Sequence, residues 1–129
     1  MPLEGLWWTQ TNIPFTTNNK KILQWIAMIM QPPFATETLF KDALEQVQKK
    51  KNLPALPKLR YEPLQEGLSA QIMHIGPYSA EKPTIEKLQN YIKENHYTFN
   101  GKHHEIYLGD PRKTAPEKLK TIIRQPIKK

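Results

Sequence analysis

Short apolar runs separated by Pro, Gly and Asn mark most of the elements in this chain. Leu3 to Trp8 reads as a strand, and Thr9 to Asn19, mixed in Thr, Asn and Pro, reads as a loop. Trp25 to Gln31 predicts a second strand, stopped by Pro32-Pro33. Thr36 is placed to cap a helix reaching about Lys50, with Leu39, Phe40, Ala43, Leu44 and Val47 at helical spacing on one buried face. Asn52 to Pro57 is a connector, and Leu59 to Gly67 an irregular strand or loop. Ser69 to Ile75 predicts a third strand that Gly76-Pro77 ends. A second amphipathic helix follows from about Ala80 to Asn95, turning Ile85, Leu88, Tyr91 and Ile92 inward, with Pro83 tolerated in its first turn. After the Asn100-Gly101 turn come a fourth strand, His103 to Leu108, and a fifth, Lys120 to Gln125. Between them, Thr114 to Glu117 has the form of a capping box for one helical turn.

The order β β α β α β β contains no repeated right-handed βαβ unit. It predicts an α+β fold, an antiparallel sheet with both main helices on one face. Residues two apart on a strand share a face, so His103, Glu105 and Tyr107 fall together and His104, Ile106 and Leu108 oppose them. The aliphatic pair makes the second set the expected helix-facing side. The first set then carries a carboxylate between an imidazole and a phenol, on a solvated face or in a site. The second strand is apolar on both faces, with Trp25, Ala27 and Ile29 against Ile26, Met28 and Met30. One of those faces packs, meets a partner or lines an adaptable cavity. Adjacent Trp7 and Trp8 likewise put one indole on each side. An aromatic enclosure holding one carboxylate suits a hydrophobic ligand, cationic or neutral.

Composition narrows the partners. The chain has 129 residues, 38% hydrophobic and 24% charged, enough for one domain spanning 1–129. Its longest apolar stretch, Trp25 to Met30, is strand-sized, and no basic region followed by an apolar one opens the chain, so neither a membrane span nor secretion is expected. With no cysteine there are no disulfides or thiolate metal sites, and a cytoplasmic location is the expectation. The formal charge of +7 is the excess of nineteen Lys and Arg over twelve Asp and Glu, and the basic runs are Lys20-Lys21, Lys49 to Lys51 and Lys128-Lys129. These are a pre-strand pair, a helix C-terminus and the chain end, so direct nucleic-acid binding is not expected. His103 and His104 point apart, and neither a metal nor a cofactor is expected. No glycine-rich phosphate loop and no G-x-S-x-G turn is present.

Glu66-Gly-Leu-Ser-Ala-Gln-Ile-Met-His-Ile-Gly-Pro-Tyr78, His103-His-Glu-Ile-Tyr-Leu-Gly-Asp-Pro-Arg112 and Lys120-Thr-Ile-Ile-Arg-Gln-Pro126 resemble GyrI-like proteins. Glu4-Gly-Leu-Trp-Trp8 and Met28-Ile-Met-Gln-Pro32 resemble the stand-alone subgroup of that family. The resemblance implies two strand-helix-strand-strand modules with a ligand cleft between them. Residues 59–129 match a complete second module, while 1–58 match a partial first module and an inserted helix, without the opening strand and helix. The chain is then a fragment, a shortened relative or a form completed by a partner, and a homodimer is expected to cover the open edge.

Similar domains are drug-sensing modules of multidrug regulators, a gyrase-inhibitory protein, and hydrolases that open cyclopropane-bearing DNA-alkylating toxins. No helix-turn-helix precedes the domain in this sequence, so a complete regulator is not expected. The resemblance implies Glu105 as the pocket glutamate, catalytic if the protein is an enzyme, with Tyr78, Trp7 and Trp8 as pocket walls. Tyr107, His74, His103, Met28 and Met30 complete the expected ligand-binding set. Binding of a hydrophobic small molecule ranks first, hydrolysis second and gyrase-inhibitor-like action third.

Overall fold

The computed structural model describes residues 1–9 and 23–129, in two compact units: Met1–Ile29 with Glu66–Lys129, and Met30–Gln65. The loop expected at Thr9 to Asn19 therefore lies, apart from Thr9, outside the described residues. In the first unit, β1 (Leu3–Thr9), β2 (Leu23–Ile29), β3 (Ser69–Ile75), β5 (His103–Tyr107) and β6 (Lys120–Lys128) form a sheet in the order β2-β1-β5-β6-β3. Every neighbouring pair is antiparallel, and a two-residue strand, β4 (Thr98–Phe99), adds to β6. The chain is thus the expected α+β fold with an antiparallel sheet.

Cross-strand register decides which residues share a face. Gly5 lies opposite Ala27 and Glu105, Glu105 opposite Ile123, and Ile123 opposite Ile72. One face therefore runs from Trp25, Ala27 and Ile29 through Trp7 and Glu105 to Ile123 and His74. Helix α2 (Lys82–Glu94) covers the β3–β6 half of this face and buries Ile85, Leu88 and Ile92 against Ala70, Ile123 and Ile127. Pro83 sits in its first turn, where its missing N–H leaves no helical bond unmade.

Three sequence expectations are corrected. Helix α2 packs on the face of His103, Glu105 and Tyr107, not on that of His104, Ile106 and Leu108. Alternation along β5 separates its two faces, but the apolar residues of β6 and β3 choose which one is inward. Tyr91 stays 57% exposed because it lies beside, not within, the buried stripe. The single turn at Pro116–Lys118 has Ala115 at its N-cap and no side-chain cap, so Thr114 does not close a capping box there.

The second unit is built on α1 (Glu37–Lys50), whose first turn is capped by the Thr36 hydroxyl accepting from Leu39 N at 3.3 Å. Lys49 and Lys50 close its last turn, where they complement the helix dipole. Its expected apolar face is only half covered, by Phe40, Leu44 and Val47, and no residue of α1 is fully buried. Within the unit, Phe40 stacks on Tyr61 at 5.6 Å, and the Tyr61 hydroxyl donates to Ala35 O at 2.7 Å.

Ile92 is fully buried between α2 and the sheet. Ile92→Ala should lower stability by about 2–5 kcal/mol, read from urea denaturation, because it removes transfer energy and leaves a cavity.

Candidate functional site

The half of the same face that α2 leaves uncovered is concave, a pocket of about 1540 Å³. That exceeds the ~300–1000 Å³ usual for small-molecule sites. Its aromatic walls come from separate elements: Trp7 on β1, Trp25 on β2, Tyr107 on β5 and Tyr78 in the single turn Tyr78–Ala80 before α2. Trp7 and Trp25 are cross-strand partners and stack with ring centres 6.0 Å apart. Trp7 Nε1 donates to the Tyr107 hydroxyl at 3.1 Å, and Tyr78 meets Tyr107 edge to face at 5.7 Å. Gly5 permits this crossing. A Cβ there would stand 2.8 Å from Trp7 Nε1 and 3.3 Å from the Tyr107 oxygen.

Three carboxyl groups line the pocket, Glu105 and Glu81 buried in its wall and Asp110 at its rim. Glu105, only 4% exposed, accepts a 2.7 Å hydrogen bond from His103 Nε2. Glu81, itself 4% exposed, lines the same cavity and feels the charge of Glu105. Two buried acids in one cavity, one of them with an unpartnered oxygen, cannot both ionise cheaply, so one keeps its proton. The proton belongs to Glu81: burial first, then the charge of Glu105, pushes its pKa from 4.5 up to about 8. Glu81 Oε1 is buried with no hydrogen-bond partner, which costs less on a neutral acid than on a carboxylate. Burial and the charge of Glu105 hold the Tyr107 phenol far above its ordinary range against the opposing Trp7 hydrogen bond. Tyr78 is raised by burial and by Glu81, Glu105 and Asp110. The turn from Gly109 to Arg112 closes the rim, and Arg112 grips Asp110 through Nε at 3.0 Å and Nη2 at 2.9 Å. This pairing holds the Asp110 carboxyl below its usual value.

Both buried histidines outside the pair brace the site. His74 Nε2 contacts the Pro77 carbonyl at 3.0 Å and Nδ1 contacts Thr84 Oγ1 at 2.8 Å. A carbonyl only accepts, so Nε2 carries the proton and Nδ1 takes the threonine's. On the opposite face, His104 bonds Glu4 Oε1 at 2.7 Å and Glu66 Oε1 at 2.8 Å. Arg124 joins Glu66 to Gln71 in the same network, at 3.3 Å and 2.9 Å.

Of the residues expected at the site, Glu105, Trp7, Tyr78 and Tyr107 line the pocket, and His103 stands behind as the donor to Glu105. Trp8 does not line it. As its neighbour's opposite on β1, it faces the other side, with Lys102 Nζ 4.0 Å from its ring centre. Met28, paired with Glu4, is also on that opposite face, and Met30 belongs to the second unit. His74 shares the pocket's face but lies under α2, committed to Thr84 and Pro77. Sequence reasoning missed Glu81 and Gly5, and reached Trp25 only as part of one of two apolar faces of its strand. A lone acid at a helix start reads as a dipole complement, and only the strand order brings it to Glu105.

An antiparallel α+β unit with an aromatic pocket around buried carboxyls has the makeup of a small-molecule-binding domain. The model of the GyrI-like small molecule binding domain matches residues 3–128, and the chain belongs to that family. An uncharacterised conserved protein from Listeria innocua has a similar solved structure, with 37% identity and a TM-score of 0.86 over 98% of this chain. Two solved structures described as hydrolases, also from Listeria innocua, share 34% identity, with TM-scores of 0.79 and 0.81 and the same 98% coverage. This chain spans 63%, 62% and 63% of their respective lengths. No curated protein matches significantly. Among the described residues, no helix is long and apolar enough to cross a membrane.

Glu81 links the site to stability. Its unfolded carboxyl loses its proton near 4.5, while the folded one keeps it to about 8. The stabilisation is thus complete below 4.5 and drains away as pH rises through about 8. Melting curves from pH 5 to 9 should show wild type falling relative to Glu81→Gln by ~3 °C or more. Parallel curves would refute a Glu81 that keeps its proton in the folded protein.

Proposed function

We propose that the pocket binds hydrophobic, aromatic small molecules, organic cations among them, in a drug- or toxin-sensing or sequestering role. The observation that carries this reading is Glu105, buried on a wall it shares with Trp7, Tyr78 and Tyr107. Among the described residues its ion-pair partner is His103, not a lysine or arginine. Aromatic faces and a desolvated carboxylate attract the same ligands, by cation–π contact and by Coulomb attraction. The stack of Trp7 on Trp25 offers a surface to a flat ring system.

A second reading, hydrolysis of a strained electrophile such as a cyclopropane-bearing alkylating compound, is favoured by the Glu81–Glu105 pair. One carboxyl holds a proton and the other accepts one, the division of labour that acid–base catalysis requires. Glu105 would take a proton from water as its oxygen bonds to the ring carbon. The breaking ring bond would pass its electrons to a conjugated carbonyl, which would take the proton that Glu81 holds. The two similar structures described as hydrolases support this reading. A homodimer is the partner we propose for the open sheet edge at β2, and light scattering of a clean monomer at high concentration would refute it.

Glu105→Gln removes the charge and nearly keeps the shape. It should weaken binding of a cationic aromatic dye about tenfold or more, roughly 1.4 kcal/mol, with a neutral ligand changed less than about twofold. If the protein is a hydrolase, wild type should turn over a cyclopropane-bearing compound to its ring-opened product by mass spectrometry. The variant should then lose about a hundredfold or more in rate. Equal loss for cationic and neutral ligands, with no turnover, would sink both readings.

A further inference from the structure

We infer that uptake of an organic cation into this pocket expels a proton from Glu81, the buried acid that lines the cavity with Glu105, so that Glu81 sets which ligand charge the site accepts. The inference rests on the binding reading above and goes beyond it, from what the pocket holds to what it exchanges.

Both carboxyls line the cavity, and both are nearly inaccessible to water. Glu81 holds Oε1 buried without a hydrogen-bond donor, so it stays the neutral acid beside the charge of Glu105. A cation brought against the aromatic wall adds a positive charge within reach of both groups, in surroundings poor in water. Such a charge favours the ionised form of each. The balance is one cation in and one proton out: the ligand meets two carboxylates, and the proton leaves to buffer. A neutral ligand brings no such field and binds with the proton in place.

The other charged and titratable groups around the pair do not replace Glu81 in this exchange. His103 of β5 already donates to Glu105, and Tyr107 of β5 and Tyr78 of the preceding turn are phenols held protonated. Asp110 and Arg112 from the rim satisfy each other. His74 of β3 is turned to Thr84 and Pro77, and Lys82 at the start of α2 is exposed. From β1 and β6 the neighbours across Glu105 are Gly5 and Ile123, which do not titrate. The unpartnered Oε1 of Glu81 is a second sign, independent of the pair: a buried oxygen with no protein donor is left for a ligand's positive charge to satisfy.

Isothermal titration of wild-type protein with tetraphenylphosphonium, in two buffers of different ionisation enthalpy near pH 7, counts the protons released. Close to one per bound cation is expected. Affinity should rise by up to about tenfold per pH unit from pH 6 and level off above about 8. Neutral triphenylphosphine oxide should release none and bind with a flat pH profile. In Glu81→Gln the release should vanish, and cation affinity at high pH should fall about tenfold or more. The wild-type proton count decides the matter even if that variant does not fold. Cation binding with no proton released, or release that persists in Glu81→Gln, overturns the exchange while leaving the pocket reading intact. Binding of neither probe overturns both.

Discussion

Three consecutive residues of β5, His103, His104 and Glu105, are titratable and all are buried within 4% of completely. A strand at the centre of a sheet cannot lead such groups to water, so each must find its partner inside the protein. Alternation sends His103 and Glu105 to one face, where they bond each other, and His104 to the other, where two carboxylates receive it. Much of the remaining sequence answers this constraint. Glu4 on β1 and Glu66 before β3 are placed for His104, Arg124 on β6 compensates Glu66, and Glu81 brings the proton that lets a second acid lie beside Glu105.

The uneven roof over one sheet face then makes a pocket from what would otherwise be core. Ile123 and Ala70 disappear beneath α2, while farther along the same face Tyr107, Trp7 and Trp25 line a concave space. Aromatic residues suit that boundary because they pack against one another yet present flat apolar surface outward. The polar pair at the seam between the roofed and open halves is shielded by the core on one side and reachable from the cavity on the other.

The strands and α2 were legible because their signals are local: period-two alternation, Gly76-Pro77 as a stop, and the spacing of Ile85, Leu88 and Ile92. Glu105 was legible too, as the odd carboxylate among aromatic and imidazole neighbours. The inward face of β5 was not legible, because alternation is symmetric and Ile106 and Leu108 outweigh the polar set until β6 and β3 are laid alongside. Trp7 and Trp8 were interchangeable for the same reason, since register with Glu105 through Gly5 separates them. Glu81 escaped because its meaning depends on a residue two strands away in the sheet. The half-covered face of α1 shows the reverse case, in which a clear helical period did not guarantee a deep interior.

His74 constrains how the site can move. By donating to Pro77 and accepting from Thr84, it fastens the short passage between β3 and α2 at both ends, with Tyr78 and Glu81 mounted between the two attachment points. That passage cannot swing aside as a flap without breaking a buried bond at each end. Accommodation of guests of different size then falls to the far wall, where Trp25 is 60% exposed, while the Tyr78 side of the opening stands as a fixed frame.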